Sequence, residues 1–143
     1  MKFKPLSADA EKTFALVFDK DDEFLATLLD FAKEQNLKGS HFVGLGAFKD
    51  VTFGFFDREQ RDYDRIELNE QVEVMSLIGN IALTDNGPKI HAHVVVGKRD
   101  GTAHGGHLLQ GHVWPTLELT LIESPGELRR TIDDETGLPL IEL

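Results

Sequence analysis

Apolar and polar positions alternate in period along this chain, and the changes of period mark its elements. Thr13 to Asp19 (TFALVFD) is a short apolar run that predicts a first strand. Asp21, Asp22 and Glu23 then gather acids where the N-terminus of a helix favours them. Phe24, Leu25, Leu28, Leu29, Phe31 and Ala32 follow at helical spacing, which predicts a long helix in the N-terminal half. Its expected end is near Asn36, before Gly39.

Beyond the helix the pattern is that of strands. HFVGLGAFKDVTFGFFD, with Gly44, Gly46 and Gly54, predicts two strands with bulges or close backbone approaches. REQRDYD is a polar connection and RIELN another short strand. Val72 to Leu83 and Lys89 to Val96 flank Asn86-Gly87, a strong hairpin signal, so they are expected to pair antiparallel. KRDGTAHGG is expected to be a second connection turning at Asp100-Gly101, which puts His104 in a turn. His107 to Val113 and Thr116 to Glu123 complete the strands, LELTLIE alternating as a half-buried strand should. The acidic tail ELRRTIDDETGLPLIEL is given a short helix.

This order predicts an α+β fold: one domain over residues 1–143, mostly antiparallel sheet with the helix packed on it. The composition agrees, with 41% hydrophobic and 28% charged residues. No apolar run is long enough to span a bilayer and the first residues do not resemble a signal peptide, so a cytoplasmic location is expected. The net charge of −10, with Lys and Arg scattered, disfavours direct binding to nucleic acid, which needs a basic surface. The chain has no cysteine, so any metal site must use His, Asp, Glu or water.

Five of the six histidines lie in KIHAHVVVGKRDGTAHGGHLLQGHVW, residues 89 to 114. In IHAHVVVG, strand alternation puts Ile90, Ala92, Val94 and Val96 on an apolar core face, and His91, His93 and Val95 on the other. His91 and His93 then point the same way, roughly 7 Å apart at the backbone. Taken alone they favour a polar strand face over a metal site. His107 follows Gly105-Gly106, and a neighbouring strand can bring it beside the pair. Three imidazoles with an open fourth position make a common zinc arrangement. His104 and His112 are assigned solvated or supporting roles, and His41, distant in sequence, a structural one. Glu73 interrupts the apolar VEVMSLIG, sharing a face with Met75 and Leu77. It is read either as the exposed start of a strand or as a buried partner of a histidine, in which case it is a candidate general base or support for a ligand. No nucleophile elbow, P-loop or G-x-G-x-x-G element occurs, and no substrate signature decides whether the protein is an enzyme.

EVMSLIGNIALTDNGPKIHAHVVVGKRDGTAHGGHLLQGHVWPTLELTLIE resembles the core of the plants and prokaryotes conserved (PPC) domain, through E-V-x-S-L-x-G-N-I, H-A-H-V and G-G-H-L. The likeness extends through FVGLGAFKDVTFGFFD and DDETGLPLIEL, nearly the whole chain. It implies an antiparallel α+β domain that assembles as a homotrimer. In plants the domain accompanies AT-hook segments that contact DNA while the PPC domain mediates association. This sequence has no Arg-Gly-Arg-Pro element, so that part of the family's behaviour is not expected here. For the stand-alone prokaryotic type, the resemblance implies that His91, His93 and His107 hold a metal such as zinc near a subunit boundary, with a small molecule as a candidate ligand. His104 stands where the family more often has an aromatic residue. The expected function is a trimeric domain with a divalent-metal site; the alternative is a DNA-associated regulatory or assembly module acting through partners.

Overall fold

The computed structural model describes residues 1–7 and 11–142. Its elements are β1 (Lys2–Ser7), β2 (Lys12–Phe18), α1 (Phe24–Glu34), β3 (Gly39–Asp57), β4 (Asp62–Leu68), β5 (Val72–Thr84), β6 (Gly87–Gly97), β7 (Ala103–Glu123), β8 (Arg129–Ile132) and β9 (Pro139–Glu142). They join in one sheet, ordered β1-β2-β7-β3-β5-β8-β9, with β4 on β3 and β6 bridging β5 and β7. β3, β5, β6 and β7 thus pair in a closed circuit. All pairings are antiparallel except one parallel bridge between Leu83 of β5 and Arg129 of β8. The single-domain α+β expectation stands, and so does the β5–β6 hairpin through Asn86-Gly87.

The helix is shorter than expected, 11 residues. The Glu23 carboxylate caps it, accepting from the backbone N–H of Leu25 at 3.3 Å and of Ala26 at 2.7 Å. Asn36 turns left-handed at φ 53°, and the Leu37 N–H returns to the Ala32 carbonyl at 2.9 Å, so the helix stops where the apolar spacing stops. Phe24, Leu28, Phe31 and Ala32 are its buried face. Phe24 packs against Phe18, Phe42 and Phe48 with ring centroids 5.2, 6.2 and 6.4 Å away, and Phe31 meets Phe14 edge-on at 5.3 Å. Such pairs add about 1 kcal/mol each beyond area burial.

Two expected breaks are bends instead. HFVGLGAFKDVTFGFFD lies within one strand, β3, of 19 residues, with register shifts at Gly44/Gly46 and beyond. Gly46 has φ +148°, and a Cβ there would sit 2.4 Å from the Thr116 carbonyl oxygen, so glycine lets the strand bend without ending. Similarly, His107–Val113 and Thr116–Glu123 belong to one strand of 21 residues that begins at Ala103. The connection before it is only Lys98–Thr102, closed by a 2.9 Å bond from the Lys98 N–H to the Thr102 carbonyl. His104 is therefore in a strand, opposite Val96, and not in a turn.

The tail forms no helix. β8 and β9 make a hairpin in which the Asp133 carboxylate accepts from the Thr136 N–H at 2.8 Å and Gly137 is left-handed at φ 74°. Pro139 then opens the second strand, where it lacks the N–H that a helix would need. At the other edge of the core, the buried Glu123 carboxylate accepts from the Lys38 N–H at 2.8 Å, the Gly39 N–H at 3.3 Å and the Ser40 hydroxyl. That clasp fixes the start of β3 against β7.

Candidate metal centre

β6 divides its two faces as alternation predicts. Ala92, Val94 and Val96 are buried, Ile90 packs partly against the core, and His91, His93 and Val95 face outward. His93 lies directly opposite His107 of β7, and His91 opposite Asn80 of β5. The short connection Lys98–Thr102 turns β7 straight back along β6, so Ala103 to His107 pair with Gly97 to His93, and the register of that hairpin makes the first of these pairs. Gly105 and Gly106 allow the approach: a Cβ on Gly105 would lie 2.4 Å from the Val94 carbonyl oxygen, and one on Gly106 2.7 Å from that of Gly54.

His91, His93 and His107 each offer a ring nitrogen, and these atoms lie within 4.8 Å of one another. Nε2 of His91 and Nε2 of His93 are 3.2 Å apart. Ligand nitrogens on a tetrahedral zinc, with bonds of about 2.0–2.1 Å, stand roughly 3.4 Å apart. The arrangement fits that donor set after small ring rotations. The electrostatics fit as well. Burial holds the His91 imidazole below its ordinary pKa, helped by Arg130, His93 and Lys89. Burial lowers His107 to about 4, with further contributions from His91, His93 and Lys89. Both rings are thus neutral near pH 7, the state in which a nitrogen lone pair is available to a metal. Nδ1 of His107 is buried without a hydrogen-bond partner, the sort of polar atom that normally has one.

Tyr63 and Arg130 belong to this site, and neither stands out in the sequence. Tyr63 stacks on His107 with centroids 4.6 Å apart and planes at 24°. Gly54 makes room for it, since a Cβ there would be 2.8 Å from the Tyr63 ring. Arg130 comes from the tail. Its Nη2 donates to Asn80 Oδ1 at 2.6 Å and faces His91 Nδ1 at 3.4 Å, while Nη1 donates to the Pro139 carbonyl at 2.7 Å. Of the expected polar connection, residues 58–61 turn as predicted, while Asp62 to Asp64, Tyr63 among them, belong to β4, paired with β3. The signal that could have found both residues is long-range strand register, which local pattern does not carry.

The remaining candidates lie elsewhere. Glu73 is exposed, opposite Gly97 and Ala47, and is not brought to the histidines. Among the described residues, no carboxylate joins their group. Leu77 does not share the face of Glu73, because a bulge at Met75 reverses the alternation. His112 Nδ1 pairs with Asp50 Oδ1 at 2.6 Å, away from the centre. His104 is exposed, 3.4 Å from the Thr102 hydroxyl. His41, expected to be structural, is exposed opposite Asn80 and lines one open depression with His91 and His93.

Comparison with known proteins follows the same lines. A model of the Plants and Prokaryotes Conserved (PCC) domain matches residues 6–125. The crystal structure of a plant- and prokaryote-conserved protein from Pyrococcus horikoshii superposes with a TM-score of 0.87 at 31% identity, covering 99% of this chain and 95% of that one. A metal-containing protein from Archaeoglobus fulgidus gives 0.85 at 30% identity, covering 99% and 97%. A Ralstonia eutropha protein named for a supposed DNA-binding role gives 0.87 at 29% identity, covering 98% and 96%. No curated protein matches the chain.

Proposed function

The chain belongs to the Plants and Prokaryotes Conserved domain family, and from that premise we propose that it is a metal-binding domain whose His91, His93 and His107 hold one divalent ion, zinc by preference. The observation that carries this reading is the convergence of three ring nitrogens within 4.8 Å, two of them on rings that burial keeps neutral. The metal content of the Archaeoglobus fulgidus relative supports it. Imidazoles suit zinc and other late divalent ions better than magnesium or calcium, which favour oxygen.

Three protein ligands leave a coordination position open. When bound there, a zinc ion supplies a Lewis acid for a ligand oxygen or lowers the pKa of a water. The chain's own contribution is to orient and to exclude. Tyr63 fixes the plane of His107 by stacking, and the strand pair His93–His107 sets the spacing. Among the described residues, no carboxylate joins the three ring nitrogens as a ligand. Glu73 serves as a base only if another chain brings it near.

The same reading includes self-association as a homotrimer. Val43 and Ile78 lie in register with His93 across β3, β5 and β6. With Leu45, Met75 and Val95 they leave large apolar side chains between 44% and 66% exposed. A run of this kind beside the histidines is suited to burial between copies, with the metal near the boundary. DNA association is the second reading, favoured by the names of relatives from Ralstonia eutropha and Bacteroides thetaiotaomicron. A net charge of −10 points to partners as the route rather than direct contact.

Metal analysis of protein purified without a nickel column tests the central reading. About one zinc per chain is expected, and background content in a His91→Ala, His93→Ala double variant. Metal that stays unchanged in that variant refutes the site. Light scattering tests the trimer, and duplex DNA titrated at low salt tests direct binding, for which none is expected.

A further inference from the structure

Arg130 is only 9% exposed in a protein with ten more negative than positive charges. Buried arginines normally sit against a carboxylate, because the guanidinium stays charged and loses its water. Among the described residues, none of the ion pairs involves Arg130 or its neighbour Lys89. Arg130 spends one N–H of each terminal nitrogen on the neutral oxygens of Asn80 and Pro139, and its Nε is buried without a partner. Arg129, next in sequence, is exposed and paired with Glu127 at 3.2 Å. A buried cation without its anion, in a chain with 25 acidic residues, points to an anion supplied from outside.

The space for that anion adjoins the histidines. A cavity of about 130 Å³ is walled by His91, His107, Tyr63, Lys89 and Arg130 on its polar side. Ile90, Leu138, Pro139 and Leu140 make the rest of the wall apolar. One water needs roughly a tenth of that volume, so a small organic molecule fits. Lys89, Ile90, Arg130 and Pro139 also border a larger cavity of about 770 Å³ between α1 and the β8–β9 hairpin, which gives a route in.

His91 links this cavity to the metal reading. Its Nδ1 faces Arg130 Nη2 at 3.4 Å, and its Nε2 faces His93. A ring that gives its Nε2 lone pair to a metal carries its proton on Nδ1. Nδ1–H then meets an N–H of Arg130, and two donors face each other. An anion in the adjoining cavity satisfies both.

We propose that the cavity beside the histidines binds a small organic carboxylate, with Arg130 selecting the anion and the apolar side of the cavity holding its carbon chain. The proposal rests on the metal reading for the open coordination position that one carboxylate oxygen takes. The guanidinium fork matches a carboxylate's two oxygens. Ile90, Leu138, Pro139 and Leu140 favour an organic acid over inorganic phosphate, whose charge is poorly solvated against such walls.

The test is calorimetric titration of zinc-loaded protein with hexanoate, with hexanamide of the same shape, and with inorganic phosphate. Hexanoate is expected to bind about tenfold more tightly than hexanamide, as for loss of one charge-assisted contact. Arg130→Gln, folded and still carrying zinc, is expected to abolish that preference. Lys89→Gln, at a more exposed position, is the second variant should Arg130→Gln not fold, and is expected to reduce it. Equal binding of acid and amide, no binding of either, or phosphate binding as well as hexanoate overturns the proposal. Zinc content separates the two failures. Protein that takes up no zinc defeats the metal reading. Protein with one zinc per chain and no preference for the acid defeats this one.

Discussion

β6 and the β8–β9 hairpin meet where His91 Nδ1 faces Arg130 Nη2 at 3.4 Å, yet they reach it by opposite routes. β6 is held on both sides, by β5 and β7, and carries a buried apolar face that fixes which way His91 and His93 point. The tail hairpin pairs with itself, and its backbone joins the main sheet by one bridge, Leu83 to Arg129, beside which Arg130 bonds Asn80. Its side chains are mostly exposed, and Arg130 is its buried anchor. A strand with an apolar face announces its register. A strand with one buried charge takes its register from whatever that charge meets. One slip in β6 would bury histidine and expose valine; in β8 it would only exchange Arg130 for Arg129 or Thr131.

The largest expected effect falls on the β6 side. Zinc at about 100 times its Kd stabilises the fold by about 2.7 kcal/mol, as for any ligand that binds only the native state. His91→Ala with His93→Ala removes that increment, and thermal melting with and without zinc then gives one curve. A zinc-dependent rise that survives would move the metal away from β6.

Next is Arg130→Met, which keeps the bulk and removes the donors. Asn80 Oδ1 and the Pro139 carbonyl lose their partners, at a cost of about 1–2 kcal/mol. The loss is expected to be local, so amide exchange should speed up over residues 129–142 while β6 keeps its protection. Equal acceleration in both would show that the two regions are one cooperative unit.

A pH series on chelator-treated protein sharpens the contrast further. The unfolded His107 imidazole takes its proton as pH falls through about 6.5, whereas the folded one, lowered by burial, waits until about 4. The unfolded chain binds more protons across that window. Stability is therefore complete above about pH 6.5 and declines as pH falls towards 4. His107→Phe is expected to flatten the slope of melting temperature between pH 7 and 5, and an unchanged slope would assign the dependence to other groups. The smallest effect belongs to Arg129→Ala. Its pair with Glu127 is solvent-exposed, so a change within about 0.5 kcal/mol and no change in bound zinc are expected. A larger loss would mean that β8 is anchored by both arginines.

The legible parts of the fold are those with local periodicity. The apolar face of α1, the Asn86-Gly87 hairpin and the two faces of β6 follow from spacing alone, and Gly105-Gly106 marks the close approach that brings His107 to His93. The illegible parts depend on partners far along the chain. Gly44 and Gly46 suggest a break in β3, but the Thr116 region of β7 turns that break into a bulge. Met75 reverses the alternation of β5, which moves Leu77 inward and leaves Glu73 exposed and apart from the centre. Asp133, Thr136 and Gly137 make a hairpin turn in a tail whose composition alone suggests a helix.

By itself, then, the sequence determined the identity of the three histidines, the face on which two of them stand and the exclusion of thiolate ligands, because strand alternation and composition need no knowledge of distant contacts. Only the tertiary structure decided that Tyr63 stacks on His107, that Arg130 stands beside His91 without a carboxylate partner, and that Glu73 lies opposite Ala47 and Gly97, apart from the three histidines of its own chain. Those three outcomes depend on register between strands separated by tens of residues, and closure of β3, β5, β6 and β7 sets that register through shared burial of one core.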